Sequence, residues 1–444
     1  MINTMEMEKT KFEMNADKNN RMMTQTKSIK DIIKPLQIVS WSLGSGIIEI
    51  PMGTPRFFIT ILYAIILLSI YGVSLFYTVN YEDKMYLKRL NNTGRFLTKI
   101  VTLGNGCLGL IAIILAWNRR KGLKICIQKI ERVDDLLQKI GISKDYDKTI
   151  KQELGRVCAI YIIVIIVIVI NSASMVDGDT PKNVKAAMII AVHYPLALIF
   201  VADSVFLVIV RSMRRKFSRL NSLLKSMSSA SPLSPQYMKL LYQNTSLVKS
   251  NNSVLNKKTN DDAHLMKAAK QIHLNLVKTS RRVNETFGLQ ILLSMALSLV
   301  FITGLLYFSY SILYSPQLDQ KEKTPALISS GCWLFLYVMK ILFINHICDR
   351  TSGEALLTGN IICELHEPMT SKEFRSEIRQ FVLQLIQNPL KFTAYEFVTL
   401  DYTFIQGVVG SITTYLVILI QLSTDIGGNN KNNATLADSM NKTV

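Results

Sequence analysis

The chain has 444 residues, 49% hydrophobic and only 19% charged, with a formal net charge of +19. That balance excludes an ordinary soluble domain. The basic excess is divided between loops rather than gathered into one patch, so nucleic acid is not its expected partner.

The first 35 residues are polar and charged and do not read as a cleavable signal peptide. Leu36–Gly53 is apolar but carries Gly44, Gly46, Glu49 and Pro51, which predicts an interfacial or partly inserted lead-in. A membrane helix needs about 20 mostly apolar residues to cross roughly 30 Å of hydrocarbon. Phe57–Tyr81, Ile100–Asn118, Val157–Val176, Thr286–Leu318 and Tyr402–Thr424 contain no Lys, Arg, Asp or Glu. Ala186–Val210 is interrupted only by Asp203, and Thr324–Cys348 only by Lys340. The expected fold is therefore an all-α membrane protein with seven transmembrane helices.

Orientation follows from the basic residues. If the N-terminus is cytoplasmic, the inner segments carry 38 Lys and Arg and the outer ones 10. Without the long third inner loop the balance is still 23 to 10. The positive-inside bias thus predicts an inner N-terminus and an outer C-terminus. Sequons fall on both proposed sides. Asn91 and Asn433 are the candidate glycosylation sites outside. The six cysteines lie in spans or inner segments and imply no disulfide framework.

The inner segments hold most of the polar mass. In Gly122–Gly141, Cys126, Ile130, Val133, Leu137 and Ile140 share one helical face. Lys216–Met227 prolongs the fourth span, and Ser226–Gln236 reads as a Ser/Pro-rich hinge. A helical pattern resumes at Ala263, and Ser371–Leu385 reads as a helix capped by Ser371. Such extensions build a cytoplasmic helical stem or lie as amphipathic helices on lipid.

No enzyme constellation is present, and neither a metal nor a cofactor is expected. Polar and aromatic residues collect instead in the proposed outer halves of the spans. The candidate ligand-binding residues are Thr102, Asn105, Asn171, His193, Tyr194, Thr303, Tyr307, Tyr310, Ser330, Trp333 and Tyr337. A small-molecule pocket needs an aromatic lining with a few hydrogen-bonding groups. Interfacial anchoring and helix contacts account for the same residue types. Asp203 and Lys340 are intramembrane charges, which usually face a partner or water, and pairing with each other would make them structural. In the last span, Gly407, Ser411, Thr414, Ile418 and Gln421 fall on one helical stripe. By physics alone, packing between helices explains that stripe as well as a pore does.

The last span reads Thr414-Tyr415-LVILI-Gln421-Leu422, and with the preceding FTAYEFVTLDYTFIQGVVGSIT (Phe392–Thr413) it resembles the C-terminal signature of insect gustatory receptors. That signature ends in Gln-Phe, whereas Leu422 stands here. RRKFSRLN (Arg214–Asn221) and His366-Glu367-Pro368 are similar to some members. The resemblance implies a nonselective cation channel gated by a small-molecule tastant, a bitter compound or a sugar such as fructose. It implies a homotetramer with a central pore, or a heteromer with related receptors, surrounded by membrane lipid. Ser411, Thr414, Ile418, Gln421 and Leu422 would line or gate the pore, and Thr414, Tyr415 and Gln421 carry the signature. The implied organisation is a cytoplasmic N-terminus and lead-in (1–55), ligand-binding helices 1–6 (56–348), a cytoplasmic anchor segment (349–402), pore helix 7 (403–424) and an extracellular tail (425–444). A multi-span transporter of a small solute is the alternative, and would use Asp203, Lys340 and His346 as its coupled charges.

Overall fold

A computed structural model describes residues 28–49, 54–80, 92–142, 146–174, 181–229, 252–314, 319–365 and 372–441, with side chains apart from 92–102, 108, 228–229, 252–261, 322 and 423–441. Helix α1, Ile29–Ser42, opens on a capping box in which Lys30 N–H donates to Ser28 Oγ and Ser28 N–H donates to Asp31 Oδ2. It starts earlier than the lead-in expected from Leu36, because Pro35 lies inside the helix instead of marking its start. Ile29, Ile32, Ile33 and Leu36 form one buried face, so this segment is part of the core.

Helices α2 (Phe57–Asn80), α3 (Asn92–Lys139), α4 (Tyr146–Ser174), α5 (Lys182–Ser229), α6 (Asn252–Leu313) and α7 (Gln320–Glu364) follow. Then come α8 (Lys372–Gln387), a two-stranded antiparallel hairpin of β1 (Thr393–Ala394) and β2 (Val398–Thr399), and α9 (Tyr402–Asn441). At about 1.5 Å per residue, the 62 residues of α6 are roughly three times as long as a bilayer crossing needs. The long helices therefore continue far beyond their apolar parts, and α5 runs unbroken through Lys216–Met227.

Among the described residues, six helices are long and apolar enough to cross a membrane: those containing Phe57–Asn80, Tyr146–Ser174, Lys182–Met227, Asp262–Leu313, Lys323–Glu364 and Tyr402–Leu422. The run Ile100–Asn118 lies within α3, part of whose side chains is outside the described residues. Helices α2 and α4 expose Phe58, Leu62, Phe76, Ile162, Ile165 and Val169, an apolar surface that water would not tolerate and lipid would.

The tightest packing lies in the helical extensions. Cys126, Ile130, Val133 and Leu137 are buried, as their spacing predicts, together with Phe217, Leu220 and Leu224 of α5, Met266 and Leu276 of α6, and Phe381 of α8. The extensions thus form a packed stem. Glycines allow its closest approaches. A Cβ on Gly288 of α6 would sit 3.2 Å from the backbone nitrogen of Tyr395, so the hairpin rests directly on that helix. Its turn holds Tyr395 and Glu396 at positive φ, 50° and 63°. Lys372–Gln387 replaces the expected helix from Ser371, and Ser371 itself, His366-Glu367-Pro368, the hinge beyond Ser229 and Asn91 lie outside the described residues. Helix α9 continues to Asn441, through most of the segment expected as a tail, and takes in Asn433.

Candidate ligand site and pore helix

Asn171 of α4 joins three helices. Its Oδ1 accepts a 2.7 Å hydrogen bond from Ser329 Oγ of α7, and its Nδ2 lies 3.2 Å from His193 Nε2 of α5. The other ring nitrogen, Nδ1, lies 2.8 Å from the Ile189 carbonyl. A carbonyl only accepts, so Nδ1 carries the proton and Nε2 receives the Asn171 amide. The imidazole is neutral and fixed in one tautomer.

An aromatic column continues from that ring. Trp333 is 5.8 Å from His193, Tyr337 is 5.9 Å from Trp333, and Phe301 stacks on Tyr337 at 4.9 Å. His193, Trp333, Tyr337 and, elsewhere on α6, Tyr307 are all buried. The hydroxyls of Tyr307 and Tyr337 are buried with no hydrogen-bond partner among the described residues. Unpaired buried hydroxyls are costly. A water or a ligand hydroxyl would satisfy them.

The other expected residues divide. Tyr310 packs between Tyr307 and Tyr314, Ser330 bonds Ser309 at 2.9 Å, and Thr303 bonds back to the Leu299 carbonyl. Of these contacts, the Ser330–Ser309 bond joins α7 to α6. Asn105 and Tyr194 do not join them. Asn105 Nδ2 donates to the Val192 carbonyl, while Tyr194 Oη donates to the Leu43 carbonyl and its ring packs against Tyr71. Helix α5 turns His193 toward α4 and α7 and its neighbour Tyr194 toward α2. The Thr102 side chain is outside the described residues. Phe301 was not among the candidates. Phe301 is one more aromatic residue in an apolar run, with no sequence signal to single it out.

One helical turn below Tyr337, Lys340 Nζ lies 3.0 Å from Asp203 Oδ2, which also accepts from Ser294 Oγ at 2.6 Å. Both charges are buried. The pair locks α5 to α7 with α6 between, as its residue types suggest, and leaves neither as a lone charge for a transport pathway.

Helix α9 touches its own chain through Phe404, Ile405, Val408 and Ile412. Thr414, Ile418, Gln421 and Leu422 are exposed and Ser411 is half-buried, while Tyr415 is exposed too. The helix is held at its start. Asp401 Oδ1 caps it by accepting from the Thr403 and Phe404 amides, and Tyr402 Oη lies 2.6 Å from His346 Nδ1 of α7. A separate cavity of about 600 Å³, unforeseen in the sequence, lies where α6, α7 and α8 meet the hairpin, beside His273, Leu356 and Phe392.

Long helices with exposed apolar surfaces, a buried polar-aromatic cluster and a barely packed last helix define a multi-pass membrane protein. The chain matches the 7tm chemosensory receptor family from residue 33 to residue 425 and belongs to it, among receptors rather than enzymes. It is 23% identical to putative gustatory receptor 28b of Drosophila melanogaster over 76% of this chain and 72% of that protein. It is 23% identical to the Drosophila melanogaster gustatory receptor for sugar taste 43a over 48% of this chain and 53% of that one. Its fold is similar to the insect olfactory receptor OR5 from Machilis hrabei, solved in complex with eugenol, with a TM-score of 0.62, 12% identity, and coverage of 88% of this chain and 97% of that one.

Proposed function

We propose that this chain is a gustatory receptor subunit that forms a tastant-gated nonselective cation channel, four copies surrounding a pore lined by α9. Each subunit crosses the membrane seven times, with the N-terminus inside and the C-terminus outside. The observation that carries this reading is the packing of α9. Only 6% of its apolar window is buried within the chain, against 22–72% for the five other candidate spans. Its exposed side bears Thr414, Ile418 and Gln421, with Ser411 half-buried, a stripe that interrupts an otherwise apolar helix surface with polar side chains. Around a fourfold axis, the Gln421 amides form an uncharged oxygen ring that cations cross without tight binding, and Ile418 forms a constriction beside it.

The tastant, a sugar such as fructose or a bitter compound, binds among Asn171, His193, Tyr307, Trp333 and Tyr337. Stacking on the rings supplies affinity, and the two unpaired tyrosine hydroxyls supply polar selectivity. Helices α6 and α7 carry both this cluster and the contacts that hold α9. A ligand that favours one arrangement of α6 against α7 therefore shifts the pore equilibrium by its differential affinity for the two states.

The test is whole-cell recording from cells expressing the chain alone, with a panel of sugars and bitter compounds, and Gln421→Ala beside wild type. A ligand-evoked cation current reversing near zero, with selectivity or block changed by the substitution, is the expected result. Currents indifferent to Gln421 move the pore away from α9. Uptake of a labelled solute without current replaces the channel with a transporter.

A further inference from the structure

Four arginines meet where the apolar parts of α4 and α5 stop. Arg156 immediately precedes the uncharged run of α4, and Arg211 immediately follows the apolar run of α5, in which Asp203 is the one charge. With Arg214 and Arg215 they line a cavity of about 460 Å³, closed on its third side by Phe343 and His346 of α7. Glu153 organises three of them. Its Oε1 accepts from Arg156 Nη1 and Arg215 Nη1, both at 2.5 Å, and its Oε2 accepts from Arg211 Nη1 at 2.7 Å. That carboxylate is completely buried beneath the guanidinium groups. The fourth arginine is held loosely, with Arg214 Nε 4.0 Å from Glu354.

The charges do not cancel. Four guanidinium groups face two carboxylates, and each guanidinium has five N–H donors, of which the carboxylates take only one or two. Arg215 Nη2 is buried with no hydrogen-bond partner among the described residues. A fixed array of forked donors around a cavity is a receptor for a phosphate group.

We infer that this cavity binds the phosphorylated headgroup of an anionic phospholipid in the cytoplasmic leaflet. Depth favours a lipid over a soluble phosphate. The cavity lies at the end of the hydrocarbon-crossing runs, and Phe343, 45% exposed, offers an apolar lip where the lipid's glycerol and acyl chains would pass. The occupant also reaches the pore helix. His346 lines the cavity and bonds Tyr402, the first residue of α9, so a bound headgroup touches the residue that anchors the proposed gate. The choice of leaflet and the link to gating rest on the orientation and pore proposed above. Binding itself does not.

The experiment is native mass spectrometry of the purified full-length chain in detergent, doped with phosphatidylinositol 4,5-bisphosphate or with phosphatidylcholine. Soluble inositol trisphosphate and inorganic phosphate are run separately. Retention of the bisphosphate lipid over phosphatidylcholine is expected, falling about tenfold or more in Arg156→Gln/Arg214→Gln, the loss of two charge-assisted contacts. Arg211 and Arg215 still pair with Glu153 in that variant, and an unchanged melting temperature without lipid verifies its fold. If it fails to fold, phenylglyoxal labelling of wild-type Arg214 decides the matter. Protection by the bisphosphate lipid and not by phosphatidylcholine supports the site, and equal labelling overturns it. Equal retention of both lipids, retention unchanged in the folded variant, or soluble phosphates held as tightly as the lipid also overturn it. Lost lipid binding with intact tastant currents refutes this site alone, whereas lipid binding without currents refutes the channel alone.

Discussion

Lys340 Nζ and Asp203 Oδ2 lie 3.0 Å apart inside the helix bundle, and Ser294 Oγ of a third helix donates to the same oxygen. The ion pair sits directly beneath the aromatic column, its ammonium 5.3 Å from the Phe200 ring and 6.0 Å from the Tyr337 ring. Removing one charge takes the nearest counter-charge from the other, which costs up to about 3–5 kcal/mol, while replacing both by apolar groups is often neutral. Lys340→Met and Asp203→Leu should therefore each lower the melting temperature of the detergent-purified protein, and the double variant should recover most of the loss. A double variant as unstable as the worse single one would mean that the pair does more than neutralise itself.

His273 makes a second prediction, on pH. It is buried between Phe217 and Phe381, with Nε2 3.4 Å from the Ala355 carbonyl. At 1.5 Å per residue it lies roughly 20 Å along α6 from the uncharged run that begins at Thr286, and so in the stem. Burial pushes its pKa down from 6.5 to about 4, with the Ala355 carbonyl opposing. The unfolded chain binds this proton below 6.5 and the folded one does not until about 4. Stability is complete above pH 6.5 and falls as the pH drops from there toward 4, by up to about 3 kcal/mol. Melting temperatures between pH 4.5 and 7.5 measure this slope, and His273→Phe should flatten it.

Helical spacing revealed the stem where it was strictly amphipathic. Cys126, Ile130, Val133 and Leu137 are buried as their face predicts. Ile29, Ile32, Ile33 and Leu36 carry an equally regular spacing, but Pro35 and the surrounding polar residues hid it. Uncharged runs revealed the spans because length against bilayer thickness is a one-dimensional criterion. The ligand cluster is not one-dimensional. Asn171, His193 and Trp333 meet because three helices turn particular faces together, and nothing in their spacing separates His193 from its neighbour Tyr194, which faces α2. The stripe of Ser411, Thr414 and Gln421 on α9 is legible in the sequence, but its spacing alone does not distinguish helix packing from a pore lining.

Gly288 tests how the hairpin is seated. A Cβ there would stand 3.2 Å from Tyr395 N and 3.4 Å from Tyr395 Cα, both backbone atoms that cannot swing aside. Gly288→Ala needs a shift of only a few tenths of an ångström, whereas Gly288→Val forces the turn away from α6. Overpacking of that kind costs about 1–3 kcal/mol. The valine variant should show faster hydrogen exchange at the Leu400 amide, which donates to the Phe392 carbonyl across the hairpin, while the alanine variant should exchange nearly as wild type.

The start of α9 depends on very few groups, which makes Asp401 unusually consequential. A helix with so little burial gains little from its own chain, so its first turn is fixed mainly by the cap and by the bond from Tyr402 to His346. Slight burial would raise the Asp401 carboxyl, but hydrogen bonds from Thr403 and Phe404 outweigh it and hold the pKa below the usual aspartate value. A depressed carboxylate pKa means that the cap's contribution is complete above the unfolded value near 3.8 and disappears as the pH falls through the folded one. At neutral pH, Asp401→Ala should cost about 1 kcal/mol of first-turn stability, whereas Asp401→Asn, which keeps the acceptor oxygen, should cost less. Hydrogen exchange at the Thr403 and Phe404 amides reads this directly. In a channel, a frayed first turn loosens the point at which α7 holds the pore helix, so Asp401→Ala should also shift the tastant concentration for half-maximal current. A shift equal in both variants would assign the effect to the charge rather than to the cap.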